Sequence, residues 1–104
     1  MAEHNCKLKV YETTGEIRAI VVGNFTSVKT QNFIDQLRKL SKKSIVTIDF
    51  TETDVIDSYG IGSLMFIRNY FNNPIRILIK KDSLVAQALG IACIGMIFNV
   101  VEEE

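Results

Sequence analysis

The stretch Val55-Ile56-Asp57-Ser58-Tyr59-Gly60-Ile61-Gly62-Ser63-Leu64 changes character in its middle. Two β-branched residues close an extended segment, and an Asp-Ser pair then supplies oxygens of the kind that satisfy free N–H groups at a helix start. After the glycines, Ile61, Leu64, Met65, Ile67 and Phe71 recur at helical spacing. The stretch reads as a strand-to-helix turn. The helix stops at Asn72-Asn73-Pro74, because the residue before a proline avoids the helical region.

Working back from the turn, residues 44–50 are rich in β-branched side chains and predict a central strand, with residues 51–56 leading into the turn. Earlier still, Gly23-Asn24-Phe25-Thr26-Ser27 ends a strand over residues 17–22. That strand is continuously apolar from Ala19 to Val22, a pattern expected of a strand covered on both faces. Thr26 or Ser27 caps the next helix, which carries Val28, Phe33, Ile34, Leu37 and Leu40. Its end is basic (Arg38, Lys39, Lys42, Lys43), as the negative pole of a helix dipole favours, and solvation of those charges is expected. Residues 7–12 alternate polar and apolar, and Thr13-Thr14-Gly15-Glu16 turns them into a hairpin with the second strand.

On the other side of the turn, residues 75–79 form a strand, and Asp82 or Ser83 caps a third helix through about residue 92. Residues 96–101 close the chain as a last strand. The order β-β-α-β-α-β-α-β predicts an α/β fold with a mixed sheet of about five strands. The helices should pack mainly on one face, since the opening hairpin brings no crossover helix. A chain of 104 residues suits a single domain over residues 1–104 with one core, with residues 1–5 and the acidic end 102–104 flexible.

Composition removes several function classes. Twelve Lys plus Arg balance twelve Asp plus Glu, so no net field draws the chain to nucleic acid or to an anionic membrane surface. No apolar run approaches the roughly 20 residues that span a bilayer, and the opening Met1-Ala2-Glu3-His4-Asn5 is unlike a secretory signal. No membrane insertion and a cytoplasmic location are expected. Cys6 and Cys93 are then expected as free thiols, Cys93 as a small core residue in its apolar run. His4 and Cys6 cannot complete a four-ligand metal set from one His and two Cys, and no metal or cofactor is expected.

Catalytic and nucleotide motifs fail at identifiable positions. The nucleophile elbow needs a glycine two residues before its serine, where this chain has Ile56, and the sole histidine, His4, lies in the N-terminal segment expected to be mobile. Gly60-Ile61-Gly62 begins a dinucleotide fingerprint, but Met65 occupies the third glycine position. No Gly-Lys-Ser or Gly-Lys-Thr is present for a P-loop. The chain is not expected to be an enzyme. What remains is a hydroxyl, Ser58, beside Asp57 at a helix N-terminus, where the dipole favours an added phosphate by about 0.3–1 kcal/mol. A cap is the purely structural account of both residues. Residues 44–67 hold Asp49, Glu52, Asp54 and Asp57 without Lys or Arg, so the turn should project from an acidic surface suited to a basic partner.

Residues 55–64 resemble the "hydrophobic-Asp-Ser-Ser/Thr-Gly-Leu-Gly" signature of STAS domains, especially the bacterial anti-sigma factor antagonists. The strand ending at Phe50 resembles that family's "hydrophobic-Asp-Leu" strand, and residues 83–98, with Gly95, its closing helix-glycine-strand segment. The resemblance implies a partner switch. Ser58 would be the phosphoacceptor and Asp57 its motif neighbour, with Gly60 and Gly62 shaping the turn. Asn24, Thr26, Asp57, Ser58, Tyr59, Gly60, Ile61 and Gly62 would meet the partner. That partner would be an anti-sigma factor that is also a serine protein kinase, bound by the unphosphorylated form and released on phosphorylation. ATP and magnesium would belong to the kinase, and a serine phosphatase would reset the switch. Two residues depart from the family pattern: Thr26 stands where an aspartate is usual, and Tyr59 replaces a small Ser or Thr. The other role the resemblance allows is a STAS subunit of a transporter or signalling assembly that is never phosphorylated.

Overall fold

The computed structural model describes residues 6–27 and 29–103. Val28 and the expected flexible residues 1–5 and 104, His4 among them, lie outside the described residues. The elements are β1 (Cys6–Thr13), β2 (Glu16–Phe25), α1 (Lys29–Leu37), β3 (Ile45–Asp49), β4 (Thr53–Ile56), α2 (Ser58–Tyr70), β5 (Arg76–Lys80), α3 (Leu84–Ile91), a short 3-10 turn (Ile94–Met96) and β6 (Asn99–Glu103).

Six strands form one mixed sheet in the order β1-β2-β3-β5-β6, with β4 also paired to β2. The hairpin β1-β2 is antiparallel, closing at Gly15, whose φ of +79° is the left-handed position a glycine takes without strain. The remaining pairings are parallel. The unanticipated strand is β4. After β3 the chain leaves the ladder at Phe50–Glu52 and rejoins β2 further along, at Gly23–Phe25, across a register shift at Gly23/Asn24. Thr53 anchors the return, its buried hydroxyl donating to the Val21 carbonyl at 2.6 Å.

Register explains the core. Strand side chains alternate, so Ile17, Ala19 and Val21 share one face of the sheet with their lateral partners Val46 and Ile48 and with Ile77 beyond them. These residues join Phe33 and Leu37 of α1, Leu64 and Ile67 of α2, and Val85 and Leu89 of α3 in one buried cluster. All three helices therefore cover the same face, as the sequence order predicts. The other face is open. Ile20 and Val22 point to it and are only half-buried, so the expectation that β2 is covered on both faces is corrected: continuous hydrophobicity there serves a helix layer on one side and a shallow apolar surface on the other.

Element boundaries differ where capping overrides pattern. Ser83 caps α3 by accepting from the Ala86 N–H at 3.0 Å, whereas Asp82 sits before it in a left-handed turn (φ 63°). Helix α3 ends at Ile91, and the chain reverses through Cys93, which is left-handed (φ 56°) and exposed, not the core residue expected. Met96 belongs to the 3-10 turn, and the last strand runs through Glu102 and Glu103, whose backbones pair with Ile79 and Lys80. The acidic end is thus solvated in its side chains but held by the sheet. The basic residues after α1 also do more than solvate: Arg38 lies 5.5 Å over the Phe66 ring and Lys42 5.2 Å over Tyr70.

Candidate functional site

The site forms where β2 and β4 run out side by side. Asn24 pairs with Val55 and Phe25 with Ile56, so Thr26 and Asp57 leave the sheet together. Asp57 is extended (φ −111°, ψ −173°) and caps α2, its Oδ1 accepting from the Gly60 N–H at 3.0 Å. Its Oδ2 accepts from the Ser27 N–H at 3.2 Å. One carboxylate therefore ties the start of α2 to the β2–α1 turn. Ser27 is left-handed there (φ 53°), and its carbonyl accepts from both the N–H and the hydroxyl of Thr30. Thr26 and Ser27 thus serve the start of α1 through their carbonyls, Thr26 O accepting from the Lys29 N–H at 3.2 Å.

Ser58 and Tyr59 follow as the first two residues of α2, both exposed. The Ser58 hydroxyl makes no hydrogen bond among the described residues. Tyr59 is 67% exposed, and with Ser27, Thr30 and Gln31 it lines a hollow of ≈ 310 Å³ beside the turn. Thr30 and Gln31 were not singled out in the sequence. Their only signal was proximity to the possible caps at Thr26 and Ser27, since α1 meets α2 only through the tertiary fold.

The glycines separate. Gly60 is buried, and a Cβ there would stand 2.6 Å from Ile56 Cγ1 and 2.8 Å from the Phe25 carbonyl oxygen. It lets α2 begin against the ends of β2 and β4. Gly62 is exposed, with nothing within 4 Å of such a Cβ, so the role in shaping the turn expected of it is corrected. Ser63, inside α2, donates its buried hydroxyl back to the Gly60 carbonyl at 2.7 Å. Ile61 is half-buried and packs on the core, so only part of its side chain is exposed.

The acidic surface is smaller than the sequence suggests. Glu52 and Asp54 are exposed near the turn, but both Asp57 oxygens are occupied by backbone N–H groups. Asp49 lies on the open face of the sheet, 4% exposed and 2.8 Å from the Arg18 guanidinium. It also accepts from the Thr51 N–H at 2.8 Å and the Thr51 hydroxyl at 2.6 Å. Burial alone pushes its carboxyl up, but the Thr51 hydrogen bonds and Arg18 together outweigh this and hold it below the ordinary carboxylate range.

The described residues contain no cluster of three or more His, Cys, Asp or Glu that could hold a metal ion. Nor does any helix among them have the length and hydropathy to cross a membrane. No family model matches the chain, and no curated protein is similar to it. Solved structures are: an anti-sigma factor antagonist from Mycobacterium paratuberculosis superimposes with a TM-score of 0.76, covering 95% of this chain and 87% of that one. The fold is that of a STAS domain. Identity over the match is 12%, so the likeness lies in the arrangement of strands and helices. In this STAS fold the Asp57–Gly60 turn stands at the end of the sheet where the parallel strands finish, with Ser58 and Tyr59 exposed.

Proposed function

We propose that this chain is an anti-sigma factor antagonist that works by partner switching, with Ser58 as its phosphoacceptor. The observation that carries the reading is the division of labour at the turn. Asp57 is wholly engaged in holding the turn, while the adjacent Ser58 hydroxyl is exposed and has no partner among the described residues. The STAS fold, similar to that of a solved anti-sigma factor antagonist, supports the same reading.

The chain itself supplies no phosphoryl-transfer chemistry. A partner that is both anti-sigma factor and serine kinase holds ATP and magnesium. The γ-phosphoryl passes to Ser58 Oγ, ADP leaves, and the hydroxyl proton goes to the kinase. The modified residue gains about −1.5 to −2 charges at the first position of α2. Unpaired N–H groups and the dipole tolerate that charge within the fold. Across an interface it is costly unless the partner offers a cation, so the complex opens. In this reading Asn24, Thr26 and Ile61 join Ser58 in the contact surface, with the exposed Tyr59 as an aromatic anchor. A serine phosphatase returns the chain to its binding form.

The test is intact-mass measurement after incubation with the cognate kinase and ATP. The wild type should gain one phosphate and Ser58→Ala none. No phosphate on the wild type, or equal labelling of the variant, refutes the switch. Ser58→Asp should weaken the complex while Ser58→Ala retains it. Equal affinity of both variants and the wild type would instead indicate a STAS subunit that binds without being phosphorylated.

A further inference from the structure

The open face of the sheet carries a row of polar side chains that the switch does not use. Tyr11, Arg18, Thr47, Arg76 and Asn99 are successive lateral partners across β1, β2, β3, β5 and β6. Lateral partners point to the same side, so all five stand on this face. With neighbouring strands about 4.8 Å apart, the backbones of Arg18 and Arg76 are about 10 Å apart with Thr47 between them. Two adjoining hollows of ≈ 320 and ≈ 300 Å³ lie along this row, and Glu16, Thr47 and Arg76 line both.

The charges in these hollows are unevenly used. Arg18 is committed to Asp49 through one guanidinium nitrogen at 2.8 Å, which leaves its other N–H groups available. Arg76 and Glu16 face the same hollows yet form no ion pair and no side-chain hydrogen bond among the described residues. Opposite charges that share a concave surface without meeting are complementary to a molecule carrying both signs. A simple anion would be drawn to Arg76 and repelled by Glu16, and a simple cation the reverse.

We infer that this hollow binds a small zwitterion of the α-amino-acid class, its carboxylate held by Arg76, Arg18 and the Thr47 hydroxyl and its ammonium by Glu16. A planar guanidinium presents a fork suited to a carboxylate, and Thr47, half-buried at the centre of the row, gives a short donor from the floor. The site stands on the sheet face away from the helices and is independent of the reading of Ser58.

The test is a ¹H–¹⁵N NMR titration of the full chain at constant ionic strength with L-alanine, with acetate and with methylammonium. L-Alanine should shift the Thr47 and Arg76 amide signals saturably, at a midpoint at least about tenfold below those of the two single-charge compounds, as loss of a charged hydrogen bond implies. Arg76→Gln and Glu16→Gln, both at exposed positions, should each raise the L-alanine midpoint at least about tenfold, while Lys39→Gln on the other side of the fold leaves it unchanged. Absence of saturation, a common midpoint for the three compounds, or an unchanged midpoint in either variant with its spectrum otherwise native overturns the proposal.

Discussion

Replacing Gly60 by alanine, with Gly62→Ala as its partner measurement, tests whether the acceptor turn is built on a backbone approach that only glycine permits. Both glycines lie in the first five residues of α2, so both substitutions gain a similar helix-propensity term, up to about 1 kcal/mol. They differ in what the new methyl group meets. At Gly62 it meets nothing within 4 Å. At Gly60 it would press on Ile56 Cγ1 at 2.6 Å, the Phe25 carbonyl oxygen at 2.8 Å and the Phe25 ring at 3.0 Å. Phe25 cannot yield freely, because its ring packs edge-on against Phe33 at 4.9 Å and against Phe50 at 5.5 Å. Overpacking of that kind costs about 1–3 kcal/mol, and subtracting one variant from the other removes the shared propensity term.

Urea unfolding followed by far-UV circular dichroism reads the difference. With a urea dependence of about 2 kcal/mol per molar, the midpoint of Gly60→Ala should fall about 0.5–1.5 M below that of Gly62→Ala. Gly62→Ala should equal or exceed the wild type. Coincident midpoints of the two variants would refute the claim that α2 starts in van der Waals contact with the ends of β2 and β4.

Asp57→Ala removes acceptors from two backbone N–H groups at once and should cost about 1–2 kcal/mol, seen as a lower thermal midpoint, with amide exchange fastest at Ser27 and Gly60. Asp57→Asn keeps a cap oxygen and should lose less. Asp49 contributes to acid stability with a defined sign. Its folded-state carboxyl is held below the unfolded value of about 3.9, so its contribution is present above that pH and is lost as the pH falls through the folded value. Asp49→Asn should therefore flatten the fall in urea midpoint below about pH 4, and an unchanged acid profile would show that Arg18 and Thr51 do not stabilise the charge. Leu64→Ala, deep under α2, should cost about 2–5 kcal/mol and unfold the turn together with the core in one transition.

Much of this molecule is legible along the chain because its signals are local. Alternation in residues 7–12, the β-branched run ending at Phe50, the helical spacing after Gly60 and the Asn-Asn-Pro stop each act on their own neighbours, and they lead to the observed order of layers. The serine cap at Ser83 is of the same kind. The turn at Asp57-Ser58 could be located from residue types alone, because carboxylate and hydroxyl side chains compete for free N–H groups wherever a helix begins.

Tertiary structure decided what local signals could not carry. Strand β4 exists because the end of β2 offers a free edge beyond β3, a long-range pairing that the extended segment 51–56 does not itself carry. Only the parallel pairing of β2 with β4 brings Ser27 to Asp57, converting a helix cap into a clasp between two turns. The difference between Gly60 and Gly62 likewise depends on where Phe25 lies. Asp49 and Arg18, far apart in sequence, become an ion pair through strand register. Sequence by itself determined which residues could begin, end and fill each element, since those preferences are properties of the residue and its near neighbours. Which of them share a surface was decided by the sheet, because register alone places Arg18, Thr47 and Arg76 on one face and leaves Ser58 at its open end.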